Sequence, residues 1–161
     1  SLSGMVVSDS IPVGGDRLDE AIVDYVKGRH NVTITRQTAE MLKIAVGSAV
    51  QLDTPLLHEV DGVRITSNEV AEAVEEPLRR VADAIRAVLA ETPSGLAADV
   101  RERGLVLSGG AALLRGLAEF ITKETGIPSV VADDPQTSVV RGTGLALDNF
   151  EVLRRNQSYL R

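Results

Sequence analysis

The stretch 103–116, RGLVLSGGAALLRG, decides the fold class of this chain. Its first apolar residues have strand character, and they run into the adjacent glycines Gly109 and Gly110, after which apolar residues recur at helical spacing. Glycine allows positive φ and lets a ligand lie against the main chain, and a helix N-terminus favours phosphate. Two interpretations stay open for this pair taken alone: a tight strand–helix turn, or the close approach of a ligand.

The second half of the chain alternates helices and strands around this stretch. A short helix in GLAADVRER precedes the strand GLVLS, and a helix over ALLRGLAEFITKET follows the glycines and ends at Gly126. The strand IPSVVA and a final helix in PQTSVVRGTGLALDNFEVL complete the order. The sequence therefore predicts an α/β layer.

A second glycine pair, Gly14 and Gly15, lies in the first half of the chain. It follows GMVVSDSIPV, whose alternating apolar and polar residues predict a strand, and it precedes a predicted helix over DRLDEAIVDYVKGRH with Asp16 as its N-cap. A further helix is predicted in TITRQTAEMLKIAVG, starting near Thr35 and ending near Gly47.

A hairpin and a long helix complete the predicted elements. Asp61-Gly62 between two short apolar runs predicts a two-residue hairpin turn. The helix in TSNEVAEAVEEPLRRVADAIRAVLAETP is predicted to begin at Ser67 or Asn68 and to be split or kinked by Pro77.

Composition limits the function classes. The chain has 161 residues, 43% hydrophobic but only 2% aromatic, so its core must be aliphatic. The net charge of −6 argues against nucleic-acid binding, which needs a basic surface. There is no cysteine and therefore no disulfide. We expect neither a transmembrane helix nor a secretory leader.

Few polar side chains stand in a pattern that indicates chemistry. Glu40 and Lys43 lie three residues apart on one helix face, which is typical of an exposed ion pair. His30 and His58 have no metal-ligand spacing, so structural or surface roles are expected for both. Neither glycine pair matches a P-loop or the dinucleotide-binding fingerprint.

Four segments together carry a family resemblance that covers nearly the whole chain. They are GMVVSDSIPVGGDRLDEAIVDYV, TAEMLKIAVGSA, RGLVLSGGAALLRGLAEFITKETGIP and DDPQTSVVRGTGLALDN. In this order they resemble the C-terminal half of the MreB family of bacterial actin homologues. The resemblance implies an α/β fold, the second lobe of the actin-like ATPase fold. Its ribonuclease H-like core subdomain would be residues 1–16 plus 76–161, with 17–75 as a smaller inserted α+β subdomain.

The resemblance also assigns nucleotide contacts. Gly109 and Gly110 are similar to the family's adenosine motif, which lies against the ribose and the α-phosphate side of ATP or ADP. Ala111 stands where many relatives have a third glycine or a serine, a small residue that would preserve the close approach.

Two further pairs of residues match family positions. Glu40 and Lys43 are similar to the pair that packs on the adenine and the ribose. Gly15 and Asp16 match the turn that closes over the nucleotide. The short link at Asp61-Gly62 departs from the family, whose members generally carry a longer loop there.

No catalytic or metal-binding residue is expected within the chain. In the family order both phosphate loops, the catalytic acid and the hold on Mg²⁺ precede Ser1. The resemblance therefore implies that this half alone does not hydrolyse ATP.

The family function implied is a filament that directs cell-wall synthesis and rod shape. The expected partners are other copies of the protein and, besides them, cell-wall synthesis and membrane morphogenesis proteins. The filaments are expected in the cytoplasm at the inner face of the membrane, with membrane contact only through the other half. Two alternatives stay open: a nucleotide-binding lobe of a DnaK-like chaperone, and an interaction module that has lost nucleotide binding.

Overall fold

The structure is a computed structural model in which residues 6–149 are described. The helices and strands, in chain order, are α1 (Gly15–His30), α2 (Arg36–Val46), β1 (Leu57–Val60), β2 (Val63–Thr66), α3 (Ser67–Glu91), α4 (Ser94–Arg103), β3 (Leu105–Leu107), α5 (Leu117–Thr125), β4 (Ser129–Val131) and α6 (Ser138–Asp148). A single 3-10 turn, Gly110–Leu113, lies between β3 and α5.

The core is formed by apolar residues at helical spacing on α1, α2, α3 and α5. These helices pack together because each has an aliphatic stripe that is removed from water. Its central residues are Leu18, Ile22, Val26, Ala39, Leu42, Val46, Val70, Val74, Leu78, Leu117, Phe120 and Ile121. One aromatic residue among them agrees with the aliphatic core that composition predicts.

The α/β layer consists of the parallel strands β3 and β4, connected through α5. Leu105 pairs with Ser129 and Leu107 with Val131. The order α4, β3, α5, β4, α6 is the order that the sequence predicts. The end of the predicted final helix, after Asn149, lies outside the described residues.

The strand predicted in GMVVSDSIPV is not formed over residues 6–13. Apolar alternation specifies a strand only when a neighbouring edge is available to pair with it. In the described part of the chain, β3 pairs only with β4. This prediction is therefore wrong for residues 6–13.

Several local signals are confirmed. Thr35 caps α2 by accepting a hydrogen bond from Thr38 N, at 3.1 Å, and Gly47 follows the last residue of the helix. Asp61 and Gly62 both have positive φ, as a two-residue hairpin turn requires.

Two predicted helix starts need correction. Gly14, and not Asp16, is the N-cap of α1, and Asp16 lies in the first turn. The N-cap of α3 is Thr66, whereas Ser67 and Asn68 hydrogen-bond the preceding loop. Each shift is one or two residues: Gly14 makes no side-chain cap, whereas Thr66 takes the capping role at α3 through its own hydroxyl.

Pro77 does not split α3, which runs without interruption for 25 residues. The proline ring is buried, and the stripe of Val70, Val74 and Leu78 continues on both sides of it. The burial of this stripe offsets the hydrogen bond that proline removes.

The helix after Gly110 also differs from the prediction. The 3-10 turn ends at Leu113, Leu114 is extended, Gly116 has φ 72°, and α5 begins only at Leu117. Gly110 therefore does not begin a long helix. Gly126 ends α5 in the left-handed conformation, as predicted.

The predicted division into subdomains stays a prediction. Buried residues from 17–75 and from α5 belong to one apolar cluster.

Glu69 links the start of α3 to the end of α1. Its carboxylate accepts hydrogen bonds from Thr66 N and Oγ1, both at 2.8 Å, and its Oε1 lies 2.7 Å from His30 Nε2. Partial burial raises the pKa of Glu69, but the hydrogen bonds from Thr66 and the contact with His30 together outweigh it. The pKa is therefore held below the ordinary value of 4.5.

We predict that Glu69→Gln weakens the acid dependence of stability. A carboxylate with a lowered pKa in the folded state contributes stability that is present above its unfolded pKa and is lost as pH falls through its folded pKa. The advantage of the wild type over Glu69→Gln in the free energy of unfolding, measured with urea, should therefore shrink as pH falls below 4.5. Glu76→Gln, exposed on the same helix, is the control. Parallel pH curves for wild type and Glu69→Gln would contradict the prediction.

Candidate functional site

A cleft of 550 Å³ separates α2 from the turn that follows β3. The residues of α2 that line it are Glu40, Lys43, Ile44 and, just after the helix, Gly47. Their spacing of three or four residues puts them on one face of the helix, beside the face buried in the core. The amphipathic pattern of α2 therefore turns a mixed strip, two charged residues with Ile44 and Gly47, toward the cleft.

The opposite wall is made by the turn after β3. Its lining residues are Gly110, Ala111, Leu113, Leu114 and Arg115, with Gly15 and Gln136 at the sides. Five of the seven residues predicted for the nucleotide therefore meet here: Gly15, Glu40, Lys43, Gly110 and Ala111.

Glycine stands at positions 109 and 110 for different reasons. Gly109 has φ 88°, a conformation that favours glycine, and its N–H donates to Pro135 O at 2.7 Å. A Cβ placed on Gly110 would meet no atom within 4 Å in the described part of the chain. The turn explains Gly109, whereas the neighbouring protein atoms give no reason for glycine at position 110.

Two predicted residues do not line this cleft. Gly109 lies in the turn just before the lining residues and does not itself line the cleft. Asp16 is exposed and lines an adjacent depression, which also contains Arg17, Glu20 and Arg36. Gly15 borders both hollows, so Asp16 lies next to the cleft rather than in it.

The ion pair expected between Glu40 and Lys43 is not formed. Lys43 Nζ instead lies 2.7 Å from Asp19 Oδ1 and donates to Gly15 O at 3.3 Å. Glu40 is exposed and has no ionic partner among residues 6–149. The prediction of an ordinary surface pair is wrong because α1 packs against α2 and brings a buried carboxylate to the lysine.

Apolar side chains on both rims of the cleft were not among the predicted site residues. Ile44 is 74% exposed on the α2 wall, and Leu113 is 57% exposed on the opposite wall. Large exposed apolar residues that share a cleft are typical of ligand contact. Ile44 could have been noticed, because it lies off the apolar period of α2; Leu113 carries no such signal.

The two walls join at a backbone contact. Ser48 and Arg115 form a parallel β-bridge, Ala49 N donates to Arg115 O at 2.8 Å, and Arg115 Nη1 donates to Gly47 O at 3.2 Å. At Gly116 a Cβ would lie 2.6 Å from Val50 Cγ2. The end of α2 and the turn before α5 therefore meet through main-chain pairing, and the Arg115 guanidinium and the Val50 side chain pack beside it.

Residues 6–149 contain no group of three or more His, Asp or Glu side chains placed to hold a metal ion. None of the helices within that range has the length and the apolar character needed to cross a bilayer.

This arrangement of an α/β layer beside a helical cleft is found in the actin-like ATPase fold. The chain superposes with a TM-score of 0.85 on MreB5 of Spiroplasma citri bound to ADP, at 27% identity over 94% of this chain and 49% of that one. It matches the MamK double helical filament with a TM-score of 0.75, over 84% of this chain and 44% of the MamK chain. At 20% identity, the likeness to MamK concerns the fold alone.

The sequence defines the family more narrowly. The family model of MreB/Mbl protein matches residues 1–155. The cell shape-determining protein MreB of Escherichia coli strain K12 is 44% identical over 162 residues, which cover 94% of this chain and 47% of the relative. The chain belongs to the MreB/Mbl family, and the alternative of a DnaK-like chaperone lobe is thereby set aside. The chain spans about half the length of the curated relatives that it matches.

We predict that two alanine substitutions at cleft glycines differ in their effect on the free energy of unfolding. In Gly47→Ala the new Cβ would clash with Lys43 O and lie 3.0 Å from Leu114 Cδ1, so the free energy of unfolding should fall by about 1–3 kcal/mol. In Gly110→Ala the methyl enters open space, and the change should stay within about 0.5 kcal/mol. Urea unfolding measures the free energy of unfolding of both variants. Equal losses in the two variants would contradict the prediction.

Proposed function

We propose that this chain forms the second lobe of an MreB-type actin-like ATPase and holds the nucleoside part of ATP or ADP in the 550 Å³ cleft. The observation that carries the proposal is Gly110, which faces the α2 wall across open space. A backbone without a side chain allows a sugar or an α-phosphate to lie directly against it. MreB5 of Spiroplasma citri, which shares the fold, was crystallised with ADP.

The other cleft residues suit a nucleoside. Ile44 and Leu113 offer apolar surface on the two rims, where a planar base could pack. Glu40 has an exposed carboxylate, which accepts hydrogen bonds from sugar hydroxyls. Lys43 borders the same space, and its ammonium group is paired with Asp19.

We assign the phosphate chemistry to the other half of the full-length protein. Gly110 begins a single 3-10 turn and not a long helix. This segment therefore lacks the helix macrodipole that favours a terminal phosphate. Mg²⁺ and the γ-phosphate would be held by the phosphate loops that precede Ser1 in the family order. Gly109 and Asp16 then act indirectly: Gly109 shapes the adenosine turn, and Asp16 belongs to the turn at the start of α1.

The subdomain division follows from the same proposal. Residues 1–16 plus 76–161 would be the core subdomain and 17–75 the outer one, with the cleft at their border. Glu40 and Lys43 then belong to the outer subdomain, and Gly110 and Ala111 to the core.

We further propose that the full-length protein polymerises and directs cell-wall synthesis in rod-shape determination. The support is the family, the cell-shape role in the name of the Escherichia coli relative, and the filament formed by MamK. Its partners would be other copies of itself and, besides them, cell-wall synthesis and membrane morphogenesis proteins, at the inner face of the membrane.

We predict that Gly110→Val in the full-length protein weakens ADP and ATP binding at least about tenfold, since the branched side chain fills the space beside the ligand and a tenfold loss corresponds to about 1.4 kcal/mol. Isothermal titration calorimetry measures the affinity. The control is Gly95→Val on α4, where a Cβ also meets open space but no cleft residue lies nearby. Equal affinities for Gly110→Val and wild type would overturn the site and favour an interaction module that has lost nucleotide binding.

A second prediction concerns assembly. Electron microscopy of the full-length protein with ATP should show paired protofilaments, and Gly110→Val should require a higher ATP concentration to form them. Absence of filaments under conditions where ATP is bound would contradict the cytoskeletal function and leave nucleotide binding intact.

A further inference from the structure

Asp19 is the only charged residue in 6–149 that is buried, with 5% of its surface exposed. It lies on α1, one turn after Gly15, and none of the nucleotide contacts proposed above uses it. Its Oδ1 is 2.7 Å from Lys43 Nζ, and in the described part of the chain this oxygen has no partner with hydrogen-bond angles. The contact is therefore an ion pair at short distance that lacks the angles of a hydrogen bond.

A buried carboxylate requires compensation. Removing it from water costs free energy unless an opposite charge stays beside it. Lys43 supplies that charge: its side chain is only 16% exposed, and its ammonium also donates to Gly15 O. The ammonium is therefore drawn toward the first turn of α1.

Glu40 is the partner that Lys43 would have on an isolated helix. Side chains three residues apart on one face ordinarily pair, and Glu40 lies on the cleft face with Lys43. Because Asp19 occupies the ammonium, the carboxylate of Glu40 stays available at the wall of the cleft.

We infer that Asp19 is a positioning residue for the nucleoside: it holds the ammonium of Lys43 against α1 and so keeps the Glu40 carboxylate free for a sugar hydroxyl. The inference rests on the proposed function of the cleft. Without the charge at position 19, Lys43 turns to Glu40 and competes with the ligand for that carboxylate.

The test measures adenosine and ADP affinity of the full-length protein by calorimetry. Asp19→Asn should weaken adenosine binding about threefold to tenfold, the size expected for the loss of one typical hydrogen bond. ADP should lose affinity by a similar factor, because the proposed contact with Glu40 is to the sugar that both ligands share. Asp24→Asn, exposed on the same helix, is the matched control and should bind as the wild type does.

A double-mutant cycle separates positioning from general stability. In a Glu40→Gln background, Asp19→Asn should have no further effect on adenosine affinity, because the freed lysine has no carboxylate to capture. An equal loss in both backgrounds would show that Asp19 acts only on the fold, and the inference would be wrong. If Asp19→Asn is unfolded at the assay temperature, Asp19→Glu replaces it. Glutamate keeps the negative charge beside Lys43, so Asp19→Glu should bind adenosine as the wild type does, and a loss of affinity in Asp19→Glu that does not depend on Glu40 would overturn the inference.

The outcomes distinguish the inference from the proposed function. If the wild type binds neither adenosine nor ADP, the proposed function fails. Only the inference fails under a combination of three results: the wild type binds adenosine and ADP, Gly110→Val loses affinity, and Asp19→Asn binds as the wild type does.

Discussion

The cleft depends on one contact, the backbone junction between the end of α2 and the turn before α5. Ser48 and Arg115 pair as neighbouring strands do, and Gly116 lies so close to Val50 that a methyl group would not fit without movement. Gly116 also has a φ that favours glycine. Because the Ser48–Arg115 bridge and the hydrogen bond from Ala49 N to Arg115 O join main chain to main chain, this part of the contact does not depend on side-chain rotation.

The charges around the cleft determine which kind of ligand it suits. The packing of α1 on α2 brings the buried carboxylate of Asp19 to Lys43, so the ammonium of the lysine is paired rather than a free cation. Glu40, Ile44 and the open backbone at Gly110 remain, which together suit a sugar and a planar base better than a chain of phosphates. We propose above that the cleft holds only the nucleoside end of ATP, and the chain spans about half the length of its relatives.

The sequence predicted those elements whose causes are local. Asp61-Gly62 gave the hairpin turn, Thr35 and Gly47 bounded α2, and Gly126 ended α5, because each feature depends on neighbours within a few residues. Predictions that depended on distant partners were the wrong ones. The strand over 6–13 required an edge to pair with, and the continuity of α3 through Pro77 depended on burial against α1 and α2.

The site divides in the same way. The sequence by itself determined the family, the α/β order of the second half, and a shared helix face for Glu40 and Lys43, since spacing along a helix fixes which side chains are neighbours. Only the tertiary structure decided that Lys43 pairs with Asp19, that Gly110 faces open space while Gly109 is needed for the turn, and that Arg115 joins the walls. These are contacts between segments far apart in the chain, and their geometry arises from packing, which no local pattern records.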